Sequence, residues 1–540
     1  MRLSIVLGMI SAACAQPVIT PKGVANSASF LPAGVPGGAI ARGSTFTLFG
    51  SGLGPPQTAQ QPSYPLQNTI GNVSIKVTQG STTINAIPTF VSDGAINAIM
   101  PSNAPLGLVS VRVSYNGQTS NPQTVRVVNN NPGLFSATGF GYGPGAIYNF
   151  SSSGAGVNSP LHPAQPGQTI ALFANGLGPI AQSDGDTPPV GNLPFQVELF
   201  IGGVAVTDFA YAGRLPGVAG IDQINFQLPA NAPAGCYVPV TLRVAGTAVS
   251  NTVTMAISAS GDPCVDSANP LAAALVKGGT AGAVMLRRET RTDDIHPTLA
   301  LTVTADEAFA FFARFPGSEF AFHPLLALPP PGSCTAYAGT GQLGDTLAHS
   351  GYTNINAGSL VFSGPGGSAA FESIVEGDRY DVSLLGLDTA LQGVPASPLV
   401  LNPGSFKVTA SGSGDVASFT ANFSVSAPPS WSNRDQAAAI DRTKPFTLNW
   451  SGGGQVVIVG GSLDYPTNSA GGFLCVAPAG ATSFTIPAYI LATVPASRFK
   501  ASDSLGFIEL HSIGSVQPVP ALAYGISLVD MVNQRSAIFK

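Results

Sequence analysis

The chain has 540 residues, of which 44% are hydrophobic and only 9% are charged, and its formal net charge is −5. Lysine and glutamate, the usual helix-forming surface residues, are scarce, while 64 glycines and 46 prolines favour turns, so the composition predicts an all-β fold of short strands. No long run of one charge occurs, and this argues against a nucleic-acid partner. A single core stops growing near ~250–300 residues, so we expect several domains.

The first 15 residues have the pattern of a short secretory signal. Met1-Arg2 is followed by the apolar residues 3–10 and a small-residue stretch that predicts cleavage after Ala15. Alternatively Cys14 is lipidated, although Ser11 stands where a lipobox has a large aliphatic residue. No later segment has the ~20 apolar residues of a transmembrane helix. We expect a secreted or cell-surface protein, with a lipoprotein anchored through Cys14 as the alternative.

One stretch of sequence occurs twice. Residues 43–55 read GSTFTLFGSGLGP and residues 167–179 read GQTIALFANGLGP, and further on Ser120-Asn121 is matched by Ser250-Asn251. The offset drifts only from 124 to 130, which is too long for a solenoid repeat and fits a duplicated domain. We therefore predict two equivalent sandwiches, residues 16–130 (repeat 1) and residues 131–264 (repeat 2). Each sandwich carries one Gly-Leu-Gly-Pro turn, which we call the signature turn. It consists of Gly52, Leu53, Gly54 and Pro55 in repeat 1 and of Gly176, Leu177, Gly178 and Pro179 in repeat 2.

Within the repeats, apolar residues alternate with polar ones, as in residues 110–115 and 239–244. A period of two predicts half-buried antiparallel strands. In the two signature turns glycine allows positive φ, Leu53 and Leu177 can turn under the sheet, and proline stops further pairing. A phosphate-binding loop is the alternative for such glycines, but neither copy opens a helix or carries a Lys-Ser/Thr pair.

These motifs are similar to those of a known domain family, as are Asn26-Ser27-Ala28-Ser29-Phe30 and Pro132-Gly133-Leu134-Phe135. Residues 24–264 resemble tandem IPT/TIG-type immunoglobulin-like modules, in the arrangement of the uncharacterised Solibacter-type family of exported acidobacterial proteins. The resemblance implies an immunoglobulin-like fold and an exported location. It implies no catalytic residue, because that family is known by sequence rather than by activity.

Four cysteines follow Cys14, and an even number in an exported chain predicts disulfides. Cys236 and Cys264 bracket two alternating segments at the end of repeat 2, so we pair them locally. Cys334 and Cys475 are then left for each other. None of the four has metal-ligand spacing, which favours a structural role.

After residue 264 the repeat signature disappears, and short apolar runs separated by turn residues predict further β structure. We expect a β-rich domain over 265–430 and a sandwich-like domain over 431–540, with one composite structure as the alternative. The charged stretch Arg287–Asp294 is interpreted as a solvated loop or edge. Residues 435–440 and 487–494 are the segments that look capable of a helical turn.

No catalytic, cofactor-binding or metal-binding residue is predicted. Five histidines are scattered without zinc-site spacing, and no G-x-S-x-G elbow occurs. Asp184-Gly185-Asp186 could offer oxygens to Ca²⁺, but a solvated turn is the favoured interpretation.

Three functional hypotheses remain. The first is an exported, non-enzymatic surface or matrix protein with adhesion or spacer modules. The second is a glycan-binding accessory protein, for which four aromatic residues are candidates: Tyr142, Tyr148, Trp431 and Tyr465, with Trp431 favoured as a core residue. The third is a secreted hydrolase with a site in 265–540, assembled from distant residues. Expected partners are an extracellular polysaccharide or a surface protein.

Overall fold

The structure is a computed structural model that describes residues 16–540 except 153, 265, 267–268, 297–298, 341–350, 366, 375–378, 390–393, 466–467 and 498–503. The predicted signal segment and Cys14 lie outside the described residues. Strands dominate the described chain and helices are few and short, so the predicted all-β fold is confirmed.

Repeat 1 contains eleven strands: β1 (Val18–Asn26), β2 (Ile40–Ala41), β3 (Thr45–Ser51), β4 (Ala59–Gln60), β5 (Thr69–Ile70), β6 (Val73–Gln79), β7 (Thr82–Val91), β8 (Ala95–Ile99), β9 (Gly107–Tyr115), β10 (Gln118–Thr119) and β11 (Gln123–Val128). Their main order is β1-β3-β8-β7-β6-β9-β11-β2. Strand β7 turns the corner, because its first half pairs with β6 and its second half pairs with β8. The two halves of the sheet enclose a core that includes Phe46, Leu48 and Ile75.

Repeat 2 contains ten strands: β12 (Gly133–Leu134), β13 (Ile147–Ser151), β14 (Gly154–Val157), β15 (Thr169–Asn175), β16 (Val197–Ile201), β17 (Val204–Val206), β18 (Tyr211–Arg214), β19 (Asp222–Gln227), β20 (Gly235–Val244) and β21 (Ala248–Ile257). They form a sheet of order β14-β13-β15-β19-β18, with β12 beside β15, and a second sheet of order β17-β16-β20-β21. Alternating apolar residues from both sheets fill one core between them.

Strand pairing is the same at the two signature turns. Leu48 of β3 lies opposite Ile96 of β8, and Leu172 of β15 lies opposite Ile224 of β19. The turn leucines that follow, Leu53 and Leu177, are fully buried. The two Gly-Leu-Gly-Pro turns therefore leave corresponding strands of two similar sandwiches.

The described residues of 265–540 include helix α1 (Pro270–Lys277), helix α2 (Ala488–Leu491) and one 3₁₀ turn (Arg434–Ala438). Their strands are β22 (Gly279–His296), β23 (Leu299–Phe315), β24 (Ser333–Thr340), β25 (Thr353–Asn354), β26 (Leu360–Gly364), β27 (Gly367–Ala370), β28 (Glu372–Ile374), β29 (Arg379–Thr389), β30 (Gly404–Ala410), β31 (Phe419–Val425), β32 (Ser430–Trp431), β33 (Ala439–Ile440), β34 (Phe446–Ser451), β35 (Gln455–Asp464), β36 (Ser469–Val476), β37 (Ser483–Ile486), β38 (Ser504–Ile513), β39 (Gln517–Pro518), β40 (Tyr524–Ser536) and β41 (Ile538–Phe539).

One large sheet organises this half in the order β24-β36-β35-β38-β40-β22-β23-β29-β28. It contains strands from both sides of residue 430, so the predicted boundary at 430/431 does not separate two sheets. The physical reason is the long parallel pairing of β22 with β40, which joins segments far apart in sequence. Smaller sheets cover the large one, including β27-β26-β30-β31 and β32-β34-β37.

The charged stretch Arg287–Asp294 was expected in a solvated loop or edge, and this expectation is wrong. It belongs to β22, which lies between β40 and β23 in the middle of the large sheet. Its charges are paired within the sheet: Arg288 contacts Asp306 (2.7 Å) and Asp294 contacts Arg535 (2.8 Å). Ion pairing of this kind lets charged residues occupy an interior strand.

Two disulfides join the cysteine pairs proposed from the sequence. Cys236–Cys264 ties the start of β20 to the segment that follows β21. Cys334–Cys475 links residues that lie directly opposite each other on β24 and β36, 141 residues apart in sequence. The second bridge therefore fastens the two sequence halves of the large sheet rather than two separate domains.

The two predicted helical segments are helical in part, as the 3₁₀ turn and α2. Helix α1 was not expected. Among the described residues, no helix has the length and apolar content needed to cross a membrane.

Candidate ligand-binding cleft

A cleft of about 420 Å³ lies where repeat 1, repeat 2 and the C-terminal half meet. Repeat 1 contributes residues from 29 to 37, between β1 and β2. Repeat 2 contributes the loop 140–142 and residues 247–252 at the β20–β21 hairpin. The C-terminal half contributes residues 336–339 of β24 and the segment 492–493 after α2. We call this site the junction cleft.

Phe30 forms one lip of the junction cleft in an unusual backbone conformation. Its φ is +53°, in the left-handed region that bulky residues seldom adopt. The Asn26 side chain holds this turn, because its Oδ1 accepts hydrogen bonds from the N–H groups of Ala28 (2.8 Å) and Ser29 (3.3 Å). Backbone strain of this kind is found most often at binding sites. The Asn-Ser-Ala-Ser-Phe motif of the sequence thus sets the position of one ring.

A glycine-rich loop beside this turn carries Phe140 and Tyr142, which also line the cleft. Their rings stack with centroids 6.4 Å apart and an interplanar angle of 28°. Between them, Gly141 has a φ of +79°, and a Cβ there would lie 2.3 Å from the Ser29 carbonyl oxygen. Glycine at this position therefore allows repeat 1 to approach the loop closely. The Phe140 side chain is half exposed and lies in the cleft.

Asn251, on the wall of the cleft, fixes the position of this loop. Its Oδ1 accepts a hydrogen bond from the Leu134 N–H (2.8 Å), and its Nδ2 donates to the carbonyls of Leu134 (2.9 Å) and Gly141 (2.6 Å). Asn131 ties the other side, since its Nδ2 donates to the carbonyls of Gly37 (2.7 Å) and Ala39 (2.8 Å). Two asparagines of repeat 2 therefore hold backbone segments that line the junction cleft.

The third wall is the edge of β24, the end strand of the large sheet. Ala336 packs into the core beneath β36, and Tyr337 packs on the other face against Phe322, with ring centroids 5.9 Å apart. Because both faces of the strand are covered, the surface that β24 gives to the cleft is its outer edge, with which no described strand pairs. Alternate N–H and C=O groups of an edge strand are free to bind a ligand.

The described residues that line the cleft include no Asp, Glu, His, Lys or Arg. They offer aromatic rings, amides, hydroxyls and backbone groups instead. Burial raises the pKa of Tyr142 and, more strongly, that of Tyr337, so both phenols are neutral at physiological pH. The Thr335 hydroxyl beside Tyr337 opposes this rise in pKa only in part. The described lining of the cleft is therefore uncharged.

A buried ion pair holds the second signature turn within repeat 2. Arg214 and Asp222 are almost fully buried, the Arg214 Nη1 contacts the Asp222 carboxylate, and its Nη2 donates to the Gly178 carbonyl (2.7 Å). The other Asp222 oxygen accepts from the Leu177 N–H (2.9 Å). Burial raises the pKa of Asp222, and the Arg214 charge opposes that rise. Sequence patterns did not single out this pair.

Asp184 of the predicted solvated turn is buried where repeat 2 contacts repeat 1. Its carboxylate accepts hydrogen bonds from the Ser102 N–H (2.6 Å) and hydroxyl (2.9 Å) of repeat 1. Burial raises the pKa of Asp184, and the two Ser102 hydrogen bonds act against this. The expectation of a solvated carboxylate was wrong here, because the residue joins the two repeats.

The four aromatic candidates from the sequence have different places. Tyr142 lines the junction cleft. Tyr148 lies on the outer face of β13 and contacts Phe173 edge-on (5.7 Å). Trp431 is a core residue, as favoured from the sequence, and Tyr465 is exposed beside the undescribed residues 466–467. The structure thus brings one of the four to the cleft.

Acid–base residues converge elsewhere, on the large sheet. His511 contacts Asp530 through Nδ1 (2.9 Å) and Glu509 through Nε2 (3.0 Å). Burial disfavours the imidazolium, but the two carboxylates outweigh it and raise the pKa of His511 to about 9. At neutral pH both ring nitrogens are protonated and engaged. Such a histidine cannot accept a proton from a nucleophile.

A second group joins repeat 2 to the C-terminal half. Ser159 donates to the Glu319 carboxylate (2.5 Å), and the His162 Nδ1 contacts the same oxygen (2.9 Å). In a catalytic triad the serine bonds to Nε2 and the carboxylate to Nδ1. Here the serine hydroxyl is bonded to the carboxylate, so the group has the geometry of a tie between domains. Across the described residues, no set of three or more His, Cys, Asp and Glu side chains is arranged to hold a metal ion.

No protein-family model matches this chain, and no curated protein sequence matches it. Among solved structures, it is similar to SGBP-B from a complex xyloglucan utilization locus in Bacteroides uniformis, at 11% identity over 76% of this chain and 98% of that chain, with a TM-score of 0.20. Domains 5–6 of the S-layer protein SbsC match at 13% identity over 45% of this chain and 98% of that one, with a TM-score of 0.16. The BSP domain of a biofilm associated protein matches at 11% identity over 99% of both chains, with a TM-score of 0.12. Structural similarity at TM-scores this low does not support an inference about function.

Proposed function

We propose that the protein is an exported, non-catalytic surface or matrix protein that binds an uncharged ligand in the junction cleft. In this proposal repeats 1 and 2 are tandem IPT/TIG-like modules, and they act with the C-terminal half as one binding unit. The observation that carries the proposal is the chemistry of the cleft, which combines aromatic rings and neutral hydrogen-bonding groups with no charged side chain among its described lining residues.

Two further features support a ligand-binding role rather than a role as a spacer module alone. Buried polar contacts fix the repeats to each other, and Asn131 and Asn251 fix the loops that form the cleft. A site held by such contacts is preformed, so a ligand does not have to order it on binding. Two disulfides are typical of proteins exported to an oxidising compartment.

The chemistry of the cleft disfavours hydrolysis there, because general acid–base catalysis needs a group that titrates near the operating pH. The competing hypothesis, a hydrolase with its site in 265–540, gains no support from the His511 group, whose imidazole is already protonated and bonded on both sides.

The experiment is a paired screen of the chain from residue 16 to 540. Calorimetric titration against charged and uncharged oligomers measures binding, and a panel of glycosidase, esterase and peptidase substrates measures turnover. The proposal expects saturable binding of an uncharged ligand and no turnover. Binding of charged ligands alone, or turnover that is abolished by His511→Gln, would contradict it.

A further inference from the structure

We infer that the outer face of β6, β9 and β11 in repeat 1 is a second binding site, which binds an anionic polysaccharide. We call this surface the basic face. Its cations are Lys76, Arg112 and Arg126, and none of them lines the junction cleft. The inference goes beyond the proposed function, because the basic face is a separate surface that binds a charged ligand.

Charge is distributed unevenly along the chain. Residues 16–130 contain five Lys or Arg and a single acidic residue, Asp93, so repeat 1 has a formal charge of +4. Residues 131–540 contain sixteen Lys or Arg and twenty-six Asp or Glu, which gives a formal charge of −10. Repeat 1 is therefore a basic module in an acidic protein. An asymmetry of this kind favours the binding of an anion by the basic module.

Three of the five cations lie on one face of one sheet. Lys76, Arg112 and Arg126 are exposed, and the residues on either side of each in its strand are buried in the core. Lys76 lies directly opposite Arg112 in the pairing of β6 with β9, and Arg126 lies opposite Leu108 in the pairing of β11 with β9. The strand register thus places all three cations on the outer side, within four residues of one another along β9, or roughly 13 Å.

No carboxylate neutralises these charges within the described part of the chain, whose ion pairs include none of the three cations. Arg112 donates a hydrogen bond to the Ser120 carbonyl (3.0 Å), which leaves its charge uncompensated. Like charges directly opposite each other on neighbouring strands destabilise a sheet, so the pair of Lys76 and Arg112 costs the fold stability. A bound anionic group would remove that cost.

Repeat 2 has an equivalent face, and there the chain itself covers it. Strands β16 and β20 are neighbours in repeat 2, as β6 and β9 are in repeat 1. The pair that corresponds to Lys76 and Arg112 is Phe200 opposite Thr241. Thr241 is 1% exposed, and Phe200 stacks on Tyr489 of α2 with ring centroids 4.1 Å apart. The same positions in repeat 1 are exposed and charged, which indicates that a separate molecule covers them.

The groups between the cations suit a polysaccharide. Ser110 of β9 lies opposite Thr124 of β11, between the level of Arg112 and the level of Arg126 along these strands. A hydroxyl both donates and accepts, so these two side chains can bond to the hydroxyls of a sugar. A polymer with repeated anionic groups can contact the pair of Lys76 and Arg112 and also Arg126, with sugar hydroxyls on the residues between them.

An anionic membrane and a second copy of the chain are the other partners with suitable charge. Binding to a membrane surface increases with the apolar area that is buried, and the basic face offers Leu108 for this purpose, which is a small area. A second copy would bring carboxylates, but several of them, such as Asp306 and Asp294, are already paired with arginines of the same chain. The observations therefore favour a polysaccharide.

The test uses residues 16–540 with two anionic polysaccharides, polygalacturonate and dextran sulfate. Methyl-esterified polygalacturonate and dextran are the uncharged counterparts with the same backbones. Affinity electrophoresis and calorimetric titration compare the unmodified chain with Lys76→Gln, Arg126→Gln and the double variant. The matched control is Lys407→Gln, because Lys407 is also an exposed cation on a strand, β30 of the C-terminal half. Thermal melting checks that each variant folds.

We expect an anionic polysaccharide to bind more tightly than its uncharged counterpart, with an affinity that falls as salt is added, because exposed charges are screened. The double variant should weaken this binding about tenfold or more, each single variant should weaken it less, and Lys407→Gln should leave it unchanged. Failure of both anionic polymers to bind, or an equal effect of the double variant and Lys407→Gln, would overturn the inference.

Sedimentation velocity and flotation with phosphatidylglycerol vesicles test the other two partners. Self-association or vesicle binding that is lost in the double variant would assign the basic face to a different partner and overturn the inference. The replaced residues lie outside the junction cleft, so either failure leaves the proposed cleft function standing.

Discussion

Asn121 and Asn251 make the same pair of contacts in the two repeats. Asn121 accepts from the Ile19 N–H (2.8 Å) and donates to the Ile19 carbonyl (3.0 Å), and Asn251 does the same with Leu134. The preceding serines are equivalent as well, since each accepts a backbone N–H from the neighbouring strand. The Ser-Asn motif therefore fastens the last strand of each sandwich to its first.

The difference between these asparagines gives the first prediction. Asn251 donates additionally to Gly141 and so holds the loop of Phe140 and Tyr142. Asn121→Ala removes the side-chain partner of one N–H and one C=O, and Asn251→Ala that of one N–H and two C=O groups. Each replacement should cost about 1–3 kcal/mol in urea unfolding. Asn251→Ala alone should increase hydrogen exchange in residues 137–145 and weaken ligand binding. Equal exchange in that loop for both variants would contradict the assignment.

The second prediction concerns the buried ion pair of Arg214 and Asp222. Asp222→Asn leaves a buried guanidinium without its countercharge, which typically costs about 3–5 kcal/mol. The control is Asp93→Asn at the first signature turn, where only the Asp93 backbone carbonyl holds Leu53 (2.9 Å) and the side chain is exposed. This control should stay within about 0.5 kcal/mol of the unmodified chain. Urea unfolding measures both, and similar losses for the two variants would show that the pair is not needed.

The third prediction is a pH dependence. The pKa of His511 is raised to about 9 from 6.5, so the stabilisation by its charge is fully present below pH ~6.5 and is lost as pH rises through ~9. The shift corresponds to at most about 3 kcal/mol. His511→Gln should remove this pH dependence of the free energy of unfolding between pH ~6.5 and pH ~9. His162→Gln should keep it, because the His162 side chain is 69% exposed. A slope that survives in His511→Gln would contradict the pairing.

The fourth prediction compares the disulfides. The bridges close loops of 141 and 28 residues, for which the chain-entropy model gives about 5 and about 3–4 kcal/mol. Loss of Cys334–Cys475 by double alanine replacement should therefore lower the free energy of unfolding more than loss of Cys236–Cys264. It should also make the segment near residue 430 more sensitive to protease, because β24 and β36 come from either side of it. The reverse order of stability would argue against the role of this bridge in the large sheet.

Local patterns were sufficient for much of the fold. Alternation predicted strands such as β9 and β20, and cysteine positions were enough to propose both disulfides. The charged residues of β22 were misassigned because their partners, such as Asp306 for Arg288, come from another strand. Helix α1 was missed because its eight residues, nearly all small or apolar, are too few to show a helical repeat of apolar and polar positions.

The junction cleft could not be predicted because it is built from separate segments spread over residues 29–493, with no pattern common to them. One local feature pointed to it. Aromatic residues alternate with glycines from Gly139 to Gly143, and this pattern marks a loop that holds rings in solvent while letting the backbone approach its neighbours. The strained Phe30 is visible only in the folded chain.

The central claim is that the junction cleft binds an uncharged ligand. Thr247 lies at the exposed tip of the β20–β21 hairpin and lines the cleft, and Gln118 lies at the equivalent exposed tip in repeat 1, after Gly117. Thr247→Arg places a long charged side chain in the cleft, and Gln118→Arg places the same side chain outside it.

The most direct measurement is calorimetric titration of a soluble neutral glucan or mannan into the unmodified chain and these two variants. The account predicts that Thr247→Arg lowers the affinity by about tenfold or more, while Gln118→Arg binds like the unmodified chain. Equal affinity in all three proteins would contradict the claim that ligand occupies the junction cleft.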